Sequence, residues 1–355
     1  MLHPNLNQNP PPIMEWSPDL NAWKIHSYQL VLSILSDPRF AVVGASNQKE
    51  QLSIPSNPLE LASSNPVIID AFQQELPWVR NKMHTAIDAR CLSVLTKSNI
   101  DIYQDIILPC CQQLAIVLTD GGITQKEAPL LLDAAHELFL MNDTNEPLQA
   151  HVATTFLTNF FFDKLNHLSP QRQTDFINTL AQKTVSPAML VAPLVQLFTG
   201  LATSLPLLLS NVMLALFTDD EARTQYLQSP PQSINELLRY AGPAQYVYRM
   251  ALEDGSINDY AFKRGDRLAL FLISANMDSK QFECPHQLQL KRPAVAQVSL
   301  GYGIHACLGA PLIRAALQII PESILKHFPS IQLDMNSIQW GGSKGIQGVV
   351  RMNSL

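Results

Sequence analysis

The sequence predicts a mainly α-helical fold with smaller β regions, and the pattern of its apolar residues carries the prediction. Residues 192–218 form one long apolar run, and residues 310–320 repeat their apolar side chains at helical spacing. A helix is also predicted over 233–240, and the apolar segment 267–273, just after Gly265, is short enough for a strand. No linker rich in Gly, Ser or charge interrupts the chain after the first dozen residues, so we expect one domain over residues 13–355.

The first twelve residues are expected to lie outside this domain. Residues 4–12 contain four prolines and three asparagines, a composition that cannot pack a core. We therefore expect segment 1–12 to be extended or disordered.

The long apolar run has the length of a membrane span. Residues 186–217 contain no charged residue, and roughly 20 apolar residues suffice to cross a bilayer. However, Pro187, Pro193 and Pro206 interrupt the run, and no cluster of Lys or Arg flanks either end. A buried helix is therefore favoured over a membrane anchor.

Charge and cysteine content narrow the class of protein. Only 15% of the residues are charged and the formal net charge is −6, which argues against nucleic-acid binding because that needs clustered Lys and Arg. The five cysteines show no Cys-x-x-Cys pair and no zinc spacing, and the N-terminus lacks a basic and then apolar signal segment. We expect a cytoplasmic protein in a reducing environment.

One cysteine stands in a glycine-rich loop that leads directly into the helix predicted over 310–320. Gly301, Gly303 and Gly309 permit backbone conformations and close approaches that a Cβ would forbid. The first turn of the helix should point its N–H groups at Cys307, lower the pKa of the thiol and make the thiolate a metal ligand. His305 can offer a ring N–H or a positive charge to an anion nearby. Taken alone, such a cysteine is more often simply buried.

The pattern Gly-x-Gly-x-His-x-Cys-x-Gly resembles the haem-binding loop of the cytochrome P-450 superfamily. Glu236 and Arg239 match the Glu-x-x-Arg pair of that family, although such a pair alone would be an ordinary surface ion pair. Further positions follow in the same order, namely Arg249, Gly265, Asn276, Asp278, Phe282, Pro285, Arg292 and Pro293. Trp23 and residues 35–40 look like the beginning of the family's fold, and only residues 41–76 show no match to the family pattern.

The resemblance implies a single cytochrome P-450-type fold, with a long distal helix over haem b and the cysteine loop beneath it. Cys307 would be the axial ligand of the iron. The implied haem contacts, including the propionate partners, are Cys307, His305, Arg249, Arg80, Leu300, Gly301 and Gly309. Two departures stand out, since Leu300 replaces the usual phenylalanine and Arg80 lacks the histidine that normally precedes it by four residues. By the same resemblance Glu236, Arg239 and Arg292 would form a buried structural network behind the loop.

The reactive part of the distal helix should be residues 199–204. Gly200 and Thr203 fit the family pattern, but Ala202 stands where a carboxylate is usual, so the acid half of a proton relay is missing. Thr203 can hold a water, or it can merely bond a helical carbonyl, as threonines in helices often do. Pro206 has no N–H for the carbonyl of Ala202, which predicts a widened turn that binds water. The substrate contacts that the resemblance suggests are Thr199, Gln245, Tyr246, Val247 and Ile346.

We expect a soluble bacterial-type monooxygenase that inserts one oxygen atom from O2 into an apolar small molecule or a biosynthetic intermediate, free or bound to a carrier protein. No dinucleotide or flavin fingerprint is present, so electrons should come from a ferredoxin-type partner. Its candidate contacts are Arg80, Lys82, Arg90 and Lys97. Ala202 favours an alternative, a haem-thiolate enzyme of atypical chemistry: phenol coupling, peroxide-driven oxidation, nitric-oxide reduction or rearrangement. A third possibility is a haem binder without activity.

Overall fold

Helices dominate the computed structural model, which describes residues 11–42, 66–119, 123–140, 147–167, 188–293 and 296–355. The α-helices are α1 (Tyr28–Ser36), α2 (Pro66–Val94), α3 (Leu108–Leu118), α4 (Glu127–Leu140), α5 (Pro147–Asn166), α6 (Ala188–Thr199), α7 (Leu205–Thr218), α8 (Asp220–Gln228), α9 (Pro230–Ala241), α10 (Leu272–Asn276) and α11 (Ala310–His327). The predicted mainly α fold is confirmed. Most of the segment 1–12 lies outside the described residues, so its predicted disorder stays a prediction.

In the part of the chain that the structure describes, three small sheets accompany the helices. Their strands are β1 (Met14–Ser17), β2 (Ala22–Ile25), β3 (Phe40–Val42), β4 (Val247–Ala251), β5 (Gly255–Ile257), β6 (Tyr260–Phe262), β7 (Arg267–Leu270), β8 (Gln339–Gly342) and β9 (Gln347–Arg351). The largest sheet has the order β1-β2-β7-β4-β3, with β2 parallel to β7 and its other pairs antiparallel. The other two are the hairpins β5-β6 and β8-β9.

The strand predicted over 267–273 is shorter than expected. It ends at Leu270, and Leu272 begins the short helix α10. The Phe271 N–H still bonds to the carbonyl of Ile25, while the Phe271 carbonyl accepts from Ala275 N at 3.0 Å. The apolar run therefore ends the sheet and starts a helix, two conformations that apolar content alone does not distinguish.

The long apolar run is a core helix. Met189–Thr218 is apolar and long enough to span a membrane, but 83% of its most apolar window is buried inside the protein. Leu209, Val212 and Met213 are wholly buried in the main apolar cluster. Burial against other helices therefore accounts for the absence of charge, as the sequence predicted.

The C-terminal hairpin packs on this core helix and helps to shape the region beside it. Asn211, buried in α7, donates to the carbonyls of Ala241 and Gln347 and accepts from Val349 N at 3.1 Å. A Cβ at Gly348 would lie 2.8 Å from the Leu207 backbone, so strand and helix approach too closely for a side chain. One amide side chain thus joins α7, α9 and β9.

Candidate active site

The loop before α11 is a closed turn stabilised by its own backbone. Cys307 N donates to the carbonyl of Leu300 at 2.8 Å, and Gly301 N donates to Val298 O at 2.9 Å. Gly301 and Gly303 have φ angles of 69° and 71°, a region that side chains rarely adopt. A Cβ at Gly303 would also lie 2.8 Å from the carbonyl of Leu35, at the end of α1. Glycine fits this position for two reasons, because it adopts the left-handed backbone readily and has no Cβ to clash with the Leu35 carbonyl.

The thiol of Cys307 stands at the beginning of α11. Cys307 as a whole residue is partly exposed, and the backbone N–H of Gly309 bonds to its thiol. Burial nevertheless raises the pKa of Cys307, and the Gly309 N–H offsets this only in part. The prediction of a lowered pKa is therefore wrong for the protein without metal, because the loss of solvation outweighs the bond from the helix terminus. A thiolate here needs a cation to stabilise it.

The structure brings Glu236, Arg239 and Arg292 together in one buried network. The Glu236 carboxylate accepts from Arg239 Nε and Nη2 at 2.7 and 2.8 Å and from Arg292 Nε at 3.0 Å. The side chains of Arg239 and Glu236 are only 1% and 4% exposed. Arg239 Nη1 also donates to the carbonyls of Asn276 and Pro285. The pair is therefore far from an ordinary surface ion pair, because it fixes the chain that leads to the cysteine loop.

A second set of bonds ties this network to the loop itself. Asn276, at the end of α10, accepts from Val298 N at 2.9 Å and donates to Ser299 Oγ at 2.7 Å. Ser299 Oγ in turn donates to the carbonyl of Leu238 in α9 at 2.6 Å. A Cβ at Gly242 would meet Ser299 Oγ at 2.5 Å. Sequence reasoning assigned no role to Asn276 or Ser299, although a polar residue ending an apolar run was a usable signal.

Arg249 lies near His305 of the loop, close enough for its charge to act on the ring. Arg249 in β4 is 4% exposed, and its Nη1 donates to the carbonyl of Tyr248. Its buried Nε has no hydrogen-bond partner among the described residues. Burial lowers the pKa of His305, and the charge of Arg249 lowers it further. The Arg249 guanidinium and the ring N–H of neutral His305 suit an anionic ligand such as a carboxylate, because both can donate hydrogen bonds to it.

The predicted haem contacts Arg80 and Leu300 both pack against other parts of the chain. Arg80 Nη1 donates to Gln318 Oε1 at 2.9 Å, which places it between α2 and α11. Lys82 Nζ lies 5.4 Å from the ring centre of Trp78. Leu300 packs against the main apolar cluster. The haem contacts of Arg80 and Leu300 stay predictions.

The core helix widens where the sequence departs from the family pattern. Residues Gly200–Ser204 form a π turn between α6 and α7, in which Leu205 N donates to the carbonyl of Gly200. Thr203 Oγ1 donates to the carbonyl of Thr199 at 2.7 Å. Ala202 is 4% exposed and belongs to the main apolar cluster. The predicted widened turn is present, and the helical-carbonyl interpretation of Thr203 describes its hydrogen bond.

The predicted substrate residues fall into two groups. Ile346 pairs with Ala244 and packs on a small apolar cluster, whose buried members are Tyr103, Phe139 and Leu207. Tyr246 instead stacks on Phe271 at 5.0 Å between ring centres, and Val247 begins β4. Gln245 is buried and donates to the carbonyl of Pro243. Sequence reasoning missed Tyr103, Phe139 and Leu207, since apolar residues so far apart carry no shared signal.

Comparison with known proteins decides the family. A family model described as Cytochrome P450 matches residues 218–338, which include the buried ion network and the Cys307 loop. Cytochrome P450 CYP107DY1 of Priestia megaterium is 26% identical over 285 residues, 77% of this chain and 67% of the relative. The chain belongs to the cytochrome P450 superfamily. The polyketide biosynthesis cytochrome P450 PksS of Bacillus subtilis is 36% identical, but over only 42% of this chain and 38% of the relative.

Solved cytochrome P450 structures share the fold over nearly the whole chain. P450BioI, crystallised with an acyl carrier protein that bears hexadec-9Z-enoic acid, superposes with a TM-score of 0.77 at 21% identity, covering 94% of this chain and 91% of that one. CYP109E1 of Bacillus megaterium in complex with testosterone gives a TM-score of 0.81 at 19% identity, with 96% and 94% covered. The predicted cytochrome P450 fold is confirmed.

Family membership implies a haem group and an oxidoreductase, and both predictions are confirmed at this level. The residues present fit the group. The thiol of Cys307, on a partly exposed residue at the beginning of α11, would hold the iron of a haem, and the neighbouring Arg249 and His305 would hold its propionates.

Proposed function

We propose that the protein is a cytochrome P450 monooxygenase that inserts one atom of O2 into an apolar small molecule or biosynthetic intermediate. The observation that carries the proposal is the Cys307 loop. Cys307 is partly exposed at the beginning of α11, on a turn that two left-handed glycines close and a buried ion network supports. A loop built in this way holds a metal ligand in one position, with little freedom to relax.

Different side chains of the protein would hold the haem, orient it and provide polar groups beside it. When bound through a thiolate, the haem supplies oxygen activation, which the electron donation of the sulfur favours. Arg249 and His305 would orient the group through its propionates. Glu236, Arg239 and Arg292 fix the chain before the loop, so that Cys307 keeps its position. The π turn of residues 200–204 would supply polar groups on the opposite side.

An apolar substrate is supported by the residues near the π turn and by two relatives. Tyr103, Phe139 and Leu207 form an apolar cluster with Ile346 beside the core helix. The compared structures hold testosterone and a carrier protein that bears hexadec-9Z-enoic acid, and both the steroid and the acyl chain are largely apolar. Free and carrier-bound acyl chains are therefore the first substrates to test.

A second function is favoured by one observation, the apolar environment of Ala202. The usual acid is absent, because Ala202 has only a methyl group and packs in the main apolar cluster. This residue therefore supplies no carboxylate for a proton relay. Chemistry that does not depend on a distal acid, such as phenol coupling, peroxide-driven oxidation, nitric-oxide reduction or rearrangement, would fit this side. Turnover supported by hydrogen peroxide, compared with turnover supported by an electron-transfer system, distinguishes the two functions.

Electrons would come from a ferredoxin-type partner in the cytoplasm. The four proposed contacts already have partners within the chain. Lys97 Nζ lies 2.6 Å from Asp105 Oδ1, and Arg90 Nε bonds to the Asp105 carbonyl. Arg80 contacts Gln318, and Lys82 lies over Trp78. A docking role would require Lys97 to exchange Asp105 for a carboxylate of the partner, so Lys97→Glu should raise the KM for the ferredoxin and leave the reduced spectrum unchanged.

The decisive experiment is the optical spectrum of the reduced protein with carbon monoxide. A strongly red-shifted band is expected for the purified protein, and Cys307→Ser should lose that band while retaining its fold by circular dichroism. Absence of the band from the unmodified protein would contradict the proposal. Oxygenation is then tested with isotopically labelled O2: a product that carries one labelled atom supports the monooxygenase, and an unlabelled product supports the second function.

A further inference from the structure

A buried proline lies inside α11, the helix that follows the Cys307 loop. The helix nevertheless runs from Ala310 to His327. Pro321 has no N–H, so it cannot make the bond that a helical residue donates to the carbonyl four residues before it. Here that carbonyl belongs to Leu317, whose side chain is also wholly buried. A buried carbonyl without a partner costs free energy, so the Leu317 carbonyl requires another donor.

The missing donor comes from a different helix. Tyr226 in α8 donates its hydroxyl to the Leu317 carbonyl at 2.7 Å, and the Gln318 carbonyl lies 3.1 Å from the same hydroxyl oxygen. The backbone N–H of Glu322 in turn bonds to that oxygen. The hydroxyl therefore lies between the two ends of the interrupted turn, as donor to one end and acceptor from the other.

The position of Tyr226 is fixed by burial and by the chain before it. Its side chain is wholly buried in the main apolar cluster. Burial raises the pKa of Tyr226 above its usual range, so the hydroxyl keeps its proton and remains a donor. α8 begins directly after the core helix, with Asp219 between them as the N-terminal cap that accepts from Ala222 N at 2.9 Å. Tyr226 thus ties the chain that leaves the core helix to α11.

The turn of α11 that Tyr226 contacts also reaches α2. Gln318 Oε1 accepts from Arg80 Nη1 at 2.9 Å, and Arg80 is one of the predicted haem contacts. Cys307 precedes the same helix by three residues. The first part of α11, residues 310–318, therefore connects two predicted haem contacts. If the Leu317 carbonyl had no partner, this part would be free to bend at Pro321 against the rest of the helix.

We propose that the Tyr226 hydroxyl replaces the helical bond that Pro321 removes, and that it thereby keeps the first part of α11 where Cys307 and Arg80 can hold a haem. Tyr226 is then a positioning residue that acts through α11. The haem part of this inference rests on the proposed function, whereas the replacement of the helical bond concerns the fold alone.

The test is a double-mutant cycle on the haem-containing protein. Tyr226→Phe removes the hydroxyl and keeps the ring, Pro321→Ala restores the N–H that closes the helix, and a third variant carries both changes. Tyr28→Phe is the matched control, because Tyr28 is also buried and donates its hydroxyl to the carbonyl of Ala296 at 2.6 Å. The readouts are the Tm and the rate at which the reduced protein loses its red-shifted carbon-monoxide band well below the Tm.

Tyr226→Phe should lower the Tm and speed the loss of the band by about 5- to 30-fold, because it leaves a buried carbonyl without a partner. Combined with Pro321→Ala, the same substitution should leave both readouts close to those of Pro321→Ala alone, since the helix then satisfies the Leu317 carbonyl itself. Tyr28→Phe should lower the Tm equally with and without Pro321→Ala, because its hydrogen bond does not involve α11.

Two outcomes would overturn the inference. One is an equal fall in Tm for Tyr226→Phe with and without Pro321→Ala, which would mean that the hydroxyl does not replace the helical bond. The other is a lower Tm with an unchanged rate of band loss, which would limit Tyr226 to the stability of the fold. A failure of the proposed function is a different result, because the band would be missing from the unmodified protein while the Tm values kept the expected pattern.

Discussion

The two regions proposed to face the haem, the Cys307 loop and the π turn of the core helix, are built in opposite ways. The side of Cys307 is saturated with hydrogen bonds, from the Glu236 network through Asn276 and Ser299 to the loop backbone. The side of the core helix contains a widened turn, a glycine that faces open space and a hydroxyl without a partner. One side holds a ligand rigidly in place, and the other leaves polar groups for a ligand or for water. Substitutions should therefore act on stability on the first side and on chemistry on the second.

The largest effect is expected from Glu236→Gln. It would leave the buried guanidinium groups of Arg239 and Arg292 without their charge partner, and loss of one member of a buried pair costs about 3–5 kcal/mol. Denaturant unfolding of the haem-containing protein measures this change. Glu322→Gln is the control, because it removes an exposed pair with Lys326 that is worth about 0.3–0.5 kcal/mol. Equal losses for the two variants would refute the structural role of the network.

Glycine substitutions in the loop should come next. Gly303→Ala combines a left-handed backbone, which costs roughly 1–2 kcal/mol, with a contact at 2.8 Å to the Leu35 carbonyl. Gly309→Ala should be tolerated, since its Cβ would make an ordinary contact at 3.8 Å to the Cys307 sulfur. Gly265→Ala separates the two causes, because it has a positive φ and no described atom within 4 Å of its Cβ. Thermal unfolding should rank the losses Gly303, Gly265, Gly309.

Restoring the acid on the other side tests the comparison directly. Ala202→Asp would place a carboxyl in the main apolar cluster, where burial raises its pKa and destabilises the fold by about 1–3 kcal/mol. We expect a lower denaturant midpoint and little gain in the coupling of O2 uptake to product. Gly200→Ala, which points into open space, should instead stabilise the helix by roughly 0.5–1 kcal/mol. A clear gain in coupling for Ala202→Asp would show that the acid was the missing part.

The smallest effect is expected from pH, through His26, which directly follows β2. His26 contacts Ser274 and Glu15, and burial is the main reason that its pKa is lowered from 6.5. The folded protein therefore prefers neutral His26, so stability is complete above the unfolded pKa and declines as pH falls below it. His26→Gln should flatten the pH dependence of the Tm below about pH 6.5. An unchanged slope would mean that other groups cause it.

Much of the Cys307 side could be predicted from the sequence, because it consists of local motifs. The loop, the helix after it and the Glu-x-x-Arg pair each lie within a few residues, so spacing alone suggests their geometry. Glu236, Arg239 and Arg292 form the expected network. The sequence could not show, however, that burial would raise the pKa of Cys307. That result depends on all the chains around the sulfur, not on the one helix that points at it.

The other side was less predictable because its parts are distant in sequence. The widened turn followed from Pro206, and the missing acid at Ala202 was visible in the sequence. The sequence could not show that Thr203 bonds to the Thr199 carbonyl whereas the Thr199 hydroxyl has no partner in its own helix. Both results depend on side-chain directions within the turn. The cluster of Tyr103, Phe139 and Leu207 joins three separate segments, and no local pattern unites them.

The π turn has a consequence for how this helix can change. Each residue of an α-helix advances about 100° around the axis, and a π turn is one residue wider than an α turn. The turn therefore sets the rotational phase between α6 and α7, so that both halves direct apolar faces inward. Deleting one residue from 200–204 would convert the turn to regular helix and rotate one half against its packing partners. Point substitutions can change the polarity of this turn, but only an insertion or deletion can change its phase.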